Sequence, residues 1–168
     1  MKISSDGMIV TKQLAEHLCV DVLELSTHPT IPSEIKNFWK NNNEDVFSAL
    51  TLPLGNKREV IHNDYHHPNR QNANIAHELA HIILGHGLSV PILPNGKRDY
   101  DREVEEEAKV LSTAILIPKT VAVSIIERGI SLEQASDEYL VSKQLLEYRI
   151  RKTDARRYVY NRRKKWRS

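Results

Sequence analysis

Apolar positions along this chain change period several times, and each change predicts an element. Leu14, Ala15 and Leu18 fall on one helical face, so residues 11–20 are expected to form an amphipathic helix with Thr11 as its cap. The period is then lost. Pro29, Pro32 and the Asn41-Asn42-Asn43 run mark residues 21–45 as loop, with a short helix over 33–40 in which Ser33 caps and Phe38 and Trp39 pack. Residues 46–54 and 57–63 are rich in Val, Ile, Phe, Thr and Leu and flank Gly55-Asn56, the composition of a two-stranded hairpin.

A longer helical pattern starts near residues 69–72 and ends at Gly85 and Gly87. It is apolar almost all round, through Ile75, Ala76, Leu79, Ala80, Ile82, Ile83 and Leu84, and is therefore expected to be buried. Pro91, Pro94 and Asn95-Gly96 make residues 86–101 a loop. A helix follows over 102–116, stopped by Pro118. The last third reads as helices over 119–128, 132–138 and 142–151, with Ser131 and Ser142 as caps.

Length and composition add bounds. A chain of 168 residues with 40% hydrophobic and 27% charged residues is one soluble globular domain with a core of its own. Its one cysteine, Cys19, excludes an internal disulfide and suits a reducing compartment. It reads as a small buried apolar residue of the first helix. The N-terminus lacks the apolar core of a signal peptide, and no apolar run is long enough to span a bilayer, which points to the cytoplasm and to no membrane partner.

The net charge of +2 conceals an asymmetry. Residues 149–168 carry ten Lys/Arg and one acid, Asp154, for +9, while the rest carry 14 basic and 21 acidic groups, for −7. The C-terminus thus reads as a basic tail on an acidic body. Ten basic residues with Tyr158, Tyr160 and Trp166 among them suit a phosphate backbone or an acidic partner, or a disordered solubilising end.

The chemistry concentrates in the buried helix. His77-Glu78-Leu79-Ala80-His81 is an H-E-x-x-H motif. Positions i and i+4 share a helix face, so His77 and His81 can aim two imidazoles at one ion, with Glu78 beside them to take a proton from a water activated there. This is the pattern of the active-site helix of a zinc-dependent peptidase. A polar surface face produces the same five letters by chance. The apolar surroundings argue against that, because two histidines and a glutamate on a buried helix are costly unless paired or bound to metal.

One Zn2+ with a catalytic role needs a third protein ligand. The acidic run Glu103, Glu105, Glu106 and Glu107 on the following helix supplies candidates. Ala108 and Ser112 form a small-residue face where that helix can approach a neighbour closely. Glu105 shares that side, and Glu106 points away. Glu105 is the favoured third ligand, and Glu107 is the alternative, as a ligand or in a supporting position. His86 lies at i+5 from His81, off the ligand face, and reads as a helix-end or supporting group. His66, His67, Tyr65 and Tyr100 are candidates for polarising a substrate carbonyl, though each is first an ordinary surface or packing residue. Arg70 suits an ion pair or substrate binding.

These motifs, taken in order, resemble the ImmA/IrrE family of metallopeptidases. His77-Glu-Leu-Ala-His81 fits H-E-[LF]-[GA]-H. Glu105-x-x-Ala108 through Ile115-Leu-Ile-Pro118 fits E-x-x-A-[ND]-x-F-A-x-x-L-L-M-P without a gap. Phe47-Ser-Ala49, Ile61-His-Asn-Asp, Arg70-Gln-Asn-Ala-Asn-Ile-Ala-His77, Val141-Ser142 and Tyr148-Arg149 also resemble one branch. The similarity spans residues 10–150. There are departures: Lys109 stands where the family has Asn or Asp, and Leu111 and Ser112 replace Phe and Ala.

The resemblance implies an α+β, zincin-like fold: a small sheet packed on the active-site helix and a helical C-terminal third. The chain is expected to divide into a zincin-like core over 1–118, a helical part over 119–152 and a basic tail over 153–168. The resemblance also implies a glutamate-third-ligand zinc site, and protein substrates among helix-turn-helix repressors, hence a role in transcription regulation. Ile130-Ser-Leu132-Glu-Gln-Ala135 with Tyr139-Leu-Val141-Ser142 has helix-turn-helix character, although completing the peptidase core is the preferred reading. The expected function is thus site-specific peptide hydrolysis of a regulatory protein. The competing expectation is a nucleic-acid-binding or regulatory protein whose metal site is structural or vestigial.

Overall fold

The computed structural model of the chain describes residues 7–41, 48–55, 57–87 and 101–165. Helix α1 (Gly7–His17) leads into strand β1 (Val20–Glu24), and α2 (Ser33–Asn41) precedes β2 (Ala49–Leu54) and β3 (Lys57–His62). Then come α3 (Pro68–Leu84), α4 (Arg102–Leu116), α5 (Lys119–Arg128), α6 (Leu132–Tyr139), α7 (Lys143–Lys152) and α8 (Ala155–Lys165). The expected α+β class holds: one small sheet and a majority of helices.

The sheet has three strands in the order β1-β3-β2, with β3 central. β2 and β3 form the expected antiparallel hairpin, turning at Gly55 with φ +58, and pair Thr51 with Val60. Val46, Phe47 and Asn56, parts of the expected hairpin, lie outside the described residues. β1, in a segment expected to be loop, is a strand, parallel to β3 in the register Val22↔Val60. The chain reaches it through Cys19, which takes φ +54 and is exposed. Cys19 is therefore a turn residue and not a buried residue of α1. Thr11 is not a cap either. α1 starts earlier, and Thr11 is buried within it, its hydroxyl donating to Asn72 Oδ1 at 3.0 Å. In α2 no residue is buried, and Phe38 is 53% exposed.

Helix α3 lies between two apolar clusters. On one side Ile75 and Leu79 meet Ala15 of α1, Val20 of β1 and Val60 of β3. On the other, Ala76 joins Leu116, Ile117, Val121, Ile125, Ala135, Val141, Leu146 and Ile150 from α4 to α7. Each large side chain so buried contributes about 1.5–3 kcal/mol. The expectation of burial all along α3 is corrected at its last turn, where Ile83 and Leu84 emerge with exposures of 44% and 41%.

Polar links fix α3 against the C-terminal helices. Asn72 Nδ2 donates to Leu140 O at 3.1 Å, and Asn69 Nδ2 donates to Val141 O at 3.1 Å. Leu140 sits in the left-handed region at the end of α6, with φ 49. α6 opens on a Ser131–Gln134 capping box, and Ser142 caps α7. Ala135 of α6, Val141 in the turn that follows and Leu146 of α7 are all in the core shared with Ala76 of α3.

The basic C-terminus is helical through Lys165. Ala155 and Val159 are buried, and Arg162 Nη1 bonds Glu127 Oε1 of α5 at 2.8 Å. Among the described residues, no single helix is long and apolar enough to cross a membrane.

Candidate metal centre

The site is made where α3 and α4 pack. Ala80 of α3 and Ala108 of α4 are fully buried, and Ser112 is 4% exposed. Small side chains at these positions let the two helix axes come close. α4 begins on Asp101, whose side chain accepts from Glu103 N and Val104 N. The first turn of α4 thereby carries Glu105 over the face of α3 that holds His77 and His81.

His77 Nε2 lies 3.1 Å from His81 Nε2 and 3.1 Å from Glu105 Oε2. His81 Nε2 lies 3.6 Å from Glu105 Oε1. One ligand atom from each of His77, His81 and Glu105 falls within 4.8 Å of the others, so the trio could hold a metal ion. Donors about 2.0–2.1 Å from a tetrahedral zinc sit roughly 3.3 Å apart, close to the observed spacing. The donor set also fits in kind: two imidazole nitrogens and one carboxylate oxygen, open to solvent on one side, with His77 and Glu105 side chains each 31% exposed.

Electrostatics favour the neutral, lone-pair form of one of these imidazoles. Burial pushes the His81 imidazole below its ordinary value, and the nearby His77 adds to this; Glu105 and Glu78 oppose it.

Glu78, next to His77 on α3, reaches the sheet. It is 8% exposed, and its Oε2 accepts a hydrogen bond of 2.6 Å from Thr51 Oγ1 on β2. Sequence reasoning passed over Thr51. Its only signal is a hydroxyl on the inward face of a strand, and that has no fixed spacing from the motif it serves.

The other candidates separate. Glu107 is 3.2 Å from His86 Nε2 and is not in the trio. His86, expected off the ligand face, has its Nδ1 2.9 Å from His81 Nδ1, behind the ligand edge. His67 is exposed and caps α3, its Nδ1 accepting from Asn69 N at 3.2 Å. His66 is buried in the turn before α3, and Tyr65 lies beneath Lys40 Nζ, 5.8 Å from the ring centroid. Arg70 Nη2 reaches Ser48 Oγ at 3.4 Å. Tyr100 is outside the described residues. Lys109 bonds Glu106 at 3.5 Å and lies over the Tyr148 ring.

A family model described as the IrrE N-terminal-like domain, from a peptidase family, matches residues 34–151. The match runs from α2 through nearly all of α7 and leaves α1, β1 and α8 outside it. Neither a curated protein nor a solved structure matches the chain. The match covers well over half of the chain and takes in both helices of the centre, so the chain belongs to the M78 family of metallopeptidases, through its IrrE N-terminal-like domain.

Proposed function

We propose that this chain is a zinc-dependent endopeptidase in which His77, His81 and Glu105 hold one Zn2+ and Glu78 is the general base and acid. The observation that carries the reading is the convergence of three side chains from two helices: His77 Nε2 lies 3.1 Å from His81 Nε2 and from Glu105 Oε2, and His81 Nε2 lies 3.6 Å from Glu105 Oε1, while Glu78, on the same helix as the histidines, is held by Thr51. When bound, the ion supplies Lewis-acid polarisation of the scissile carbonyl and eases ionisation of the attacking water.

The chain's own residues do the rest. Thr51 occupies Glu78 Oε2, which leaves Oε1 to take the proton from the attacking water and hand it to the departing amine nitrogen. Burial of Glu78 between α3 and the sheet holds that carboxylate in one orientation. Among the described residues, β2 is a terminal strand of the sheet and pairs only with β3. An extended peptide added along its other edge by main-chain pairing runs beside Thr51. That mode needs a locally unfolded target, such as a linker in a regulatory protein. A helix-turn-helix repressor is the substrate class that family resemblance favours.

The test is a comparison of zinc-loaded wild type with Glu78→Gln, each incubated with native cell lysate and with a proteome-derived peptide library. New N-termini produced by wild type alone support the reading. Their absence with fully loaded protein in both mixtures would sink it.

A second reading draws on α8. Arg157, Tyr160 and Lys164 lie opposite the buried Ala155 and Val159, and all three are exposed, Tyr160 by 67%. Arg156 flanks them, and Arg151 and Lys152 end α7 nearby, also exposed. A basic helix face with an aromatic among the cations suits a nucleic-acid backbone. On this reading the metal site is structural or vestigial. Its test is the salt dependence of DNA binding, taken up in the Discussion.

A further inference from the structure

We infer that Glu107 and His86 form a positioning relay that holds His81 in the tautomer and orientation a metal ligand needs. The inference rests on the metal site proposed above and adds two residues to it.

The relay begins with how α3 ends. Gly85 takes the left-handed conformation, with φ +70 and ψ +21. Its N–H donates to Ile82 O at 3.2 Å, and the N–H of His86 donates to His81 O at 3.0 Å. This paired bonding is a Schellman motif, which turns the chain back over its own last turn. A residue at i+5 would leave the ligand face if the helix continued. Here the reversal returns the His86 ring to the His81 ring, centroids 5.0 Å apart and planes at 65°.

The atoms then admit one consistent assignment. His81 Nε2 faces His77 and Glu105, so metal binding requires its lone pair at Nε2 and its proton at Nδ1. The Nδ1–H points at His86 Nδ1, 2.9 Å away, which must accept. His86 then carries its own proton on Nε2, and that N–H donates to Glu107 Oε2 at 3.2 Å. A ligand imidazole backed by a group that ends in a carboxylate is a better donor and is held in plane. Lys109 cannot take this part, since its Nζ lies on Glu106 and over Tyr148. Glu107 is thus apart from its neighbours in the acidic run: it is the carboxylate that meets His86.

Zinc affinity, measured by competition with a chromophoric chelator, tests the relay on the full chain. Glu107→Gln and His86→Ala should each weaken zinc binding by about 10–100-fold. Glu106→Gln, a neighbour on the same helix, should not. Because the Glu107 side chain is 66% exposed, its substitution does not endanger folding. His86→Gln should recover part of the loss, since an amide oxygen can accept from His81 Nδ1–H. In the zinc-loaded wild type, long-range proton–nitrogen spectra should show His86 protonated on Nε2. Wild-type affinity in Glu107→Gln, or a proton on His86 Nδ1, would overturn the relay while leaving the metal site standing. Failure of wild type to bind zinc at all would overturn both.

Discussion

Thr51 Oγ1 donates to Glu78 Oε2 at 2.6 Å, joining the edge strand of the sheet to the carboxylate of the H-E-x-x-H helix. The bond spans 27 residues of sequence and is buried. In the proposed mechanism Glu78 Oε1 is then the oxygen that transfers the proton. Thr51→Val keeps the shape and removes the donor. Peptidase activity should fall by about tenfold or more, against about 10²–10⁴-fold for Glu78→Gln, with zinc content unchanged in both. Full activity in Thr51→Val would show that Glu78 needs no such support.

Asn72 bridges three parts of the fold. It accepts from Thr11 of α1 and donates to the carbonyl of Leu140, whose left-handed backbone ends α6. Asn72→Ala removes the donor to that carbonyl and breaks the bond to Thr11. The expected loss is about 1–3 kcal/mol in urea unfolding, the cost of leaving a buried polar group such as the Leu140 carbonyl without its donor. A change below about 0.5 kcal/mol would place Asn72 with ordinary surface positions.

Much of this architecture is legible in the sequence, and the failures have physical reasons. α4 and α5 are found at their full bounds because Asp101, Pro118 and Gly129 punctuate them chemically. β1 is missed because five residues carry little periodicity and because the turn before it is made by Cys19, a residue type that gives no turn signal. α8 reads as a tail because its charge dominates its pattern. Only Ala155 and Val159 face inward, and Arg162 finds Glu127 across the fold. Within the site, His77, Glu78 and His81 are given by helical spacing, and Glu105 by the phase of small residues on α4. Thr51 and His86 are not, because one depends on strand register and the other on a chain reversal at Gly85.

His62 gives the fold a pH dependence. It is 5% exposed, and its Nδ1 has no hydrogen-bond partner among the described residues. Burial holds its imidazole below the ordinary value of 6.5; Asp64 and Glu24 oppose that shift, and Lys12 adds to it. The unfolded chain therefore binds this proton more readily than the folded one. The contribution to stability is complete above the unfolded pKa and is lost as pH falls from there toward the folded value. The urea midpoint should drop between about pH 7.5 and pH 5, and His62→Asn should make that drop smaller. An equal drop in the variant would assign the effect to other groups.

The outer face of α8 makes a separable prediction. If Arg157 and Lys164 meet phosphates, DNA affinity falls steeply with salt, and Arg157→Glu with Lys164→Glu reduces the slope by about two counterions. Absence of binding at low salt, or an unchanged slope in the double variant, removes the nucleic-acid reading.

The central claim is the ligand set, and metal content tests it most directly. Wild type, His77→Ala, Glu78→Gln, Glu105→Ala and Glu107→Ala would be supplied with equal excess zinc, desalted and assayed for bound metal. One zinc per chain is expected in wild type, Glu78→Gln and Glu107→Ala, with loss in His77→Ala and Glu105→Ala. Zinc retained in Glu105→Ala but lost in Glu107→Ala would move the third ligand two residues along α4. Wild type without zinc would contradict the metal centre itself.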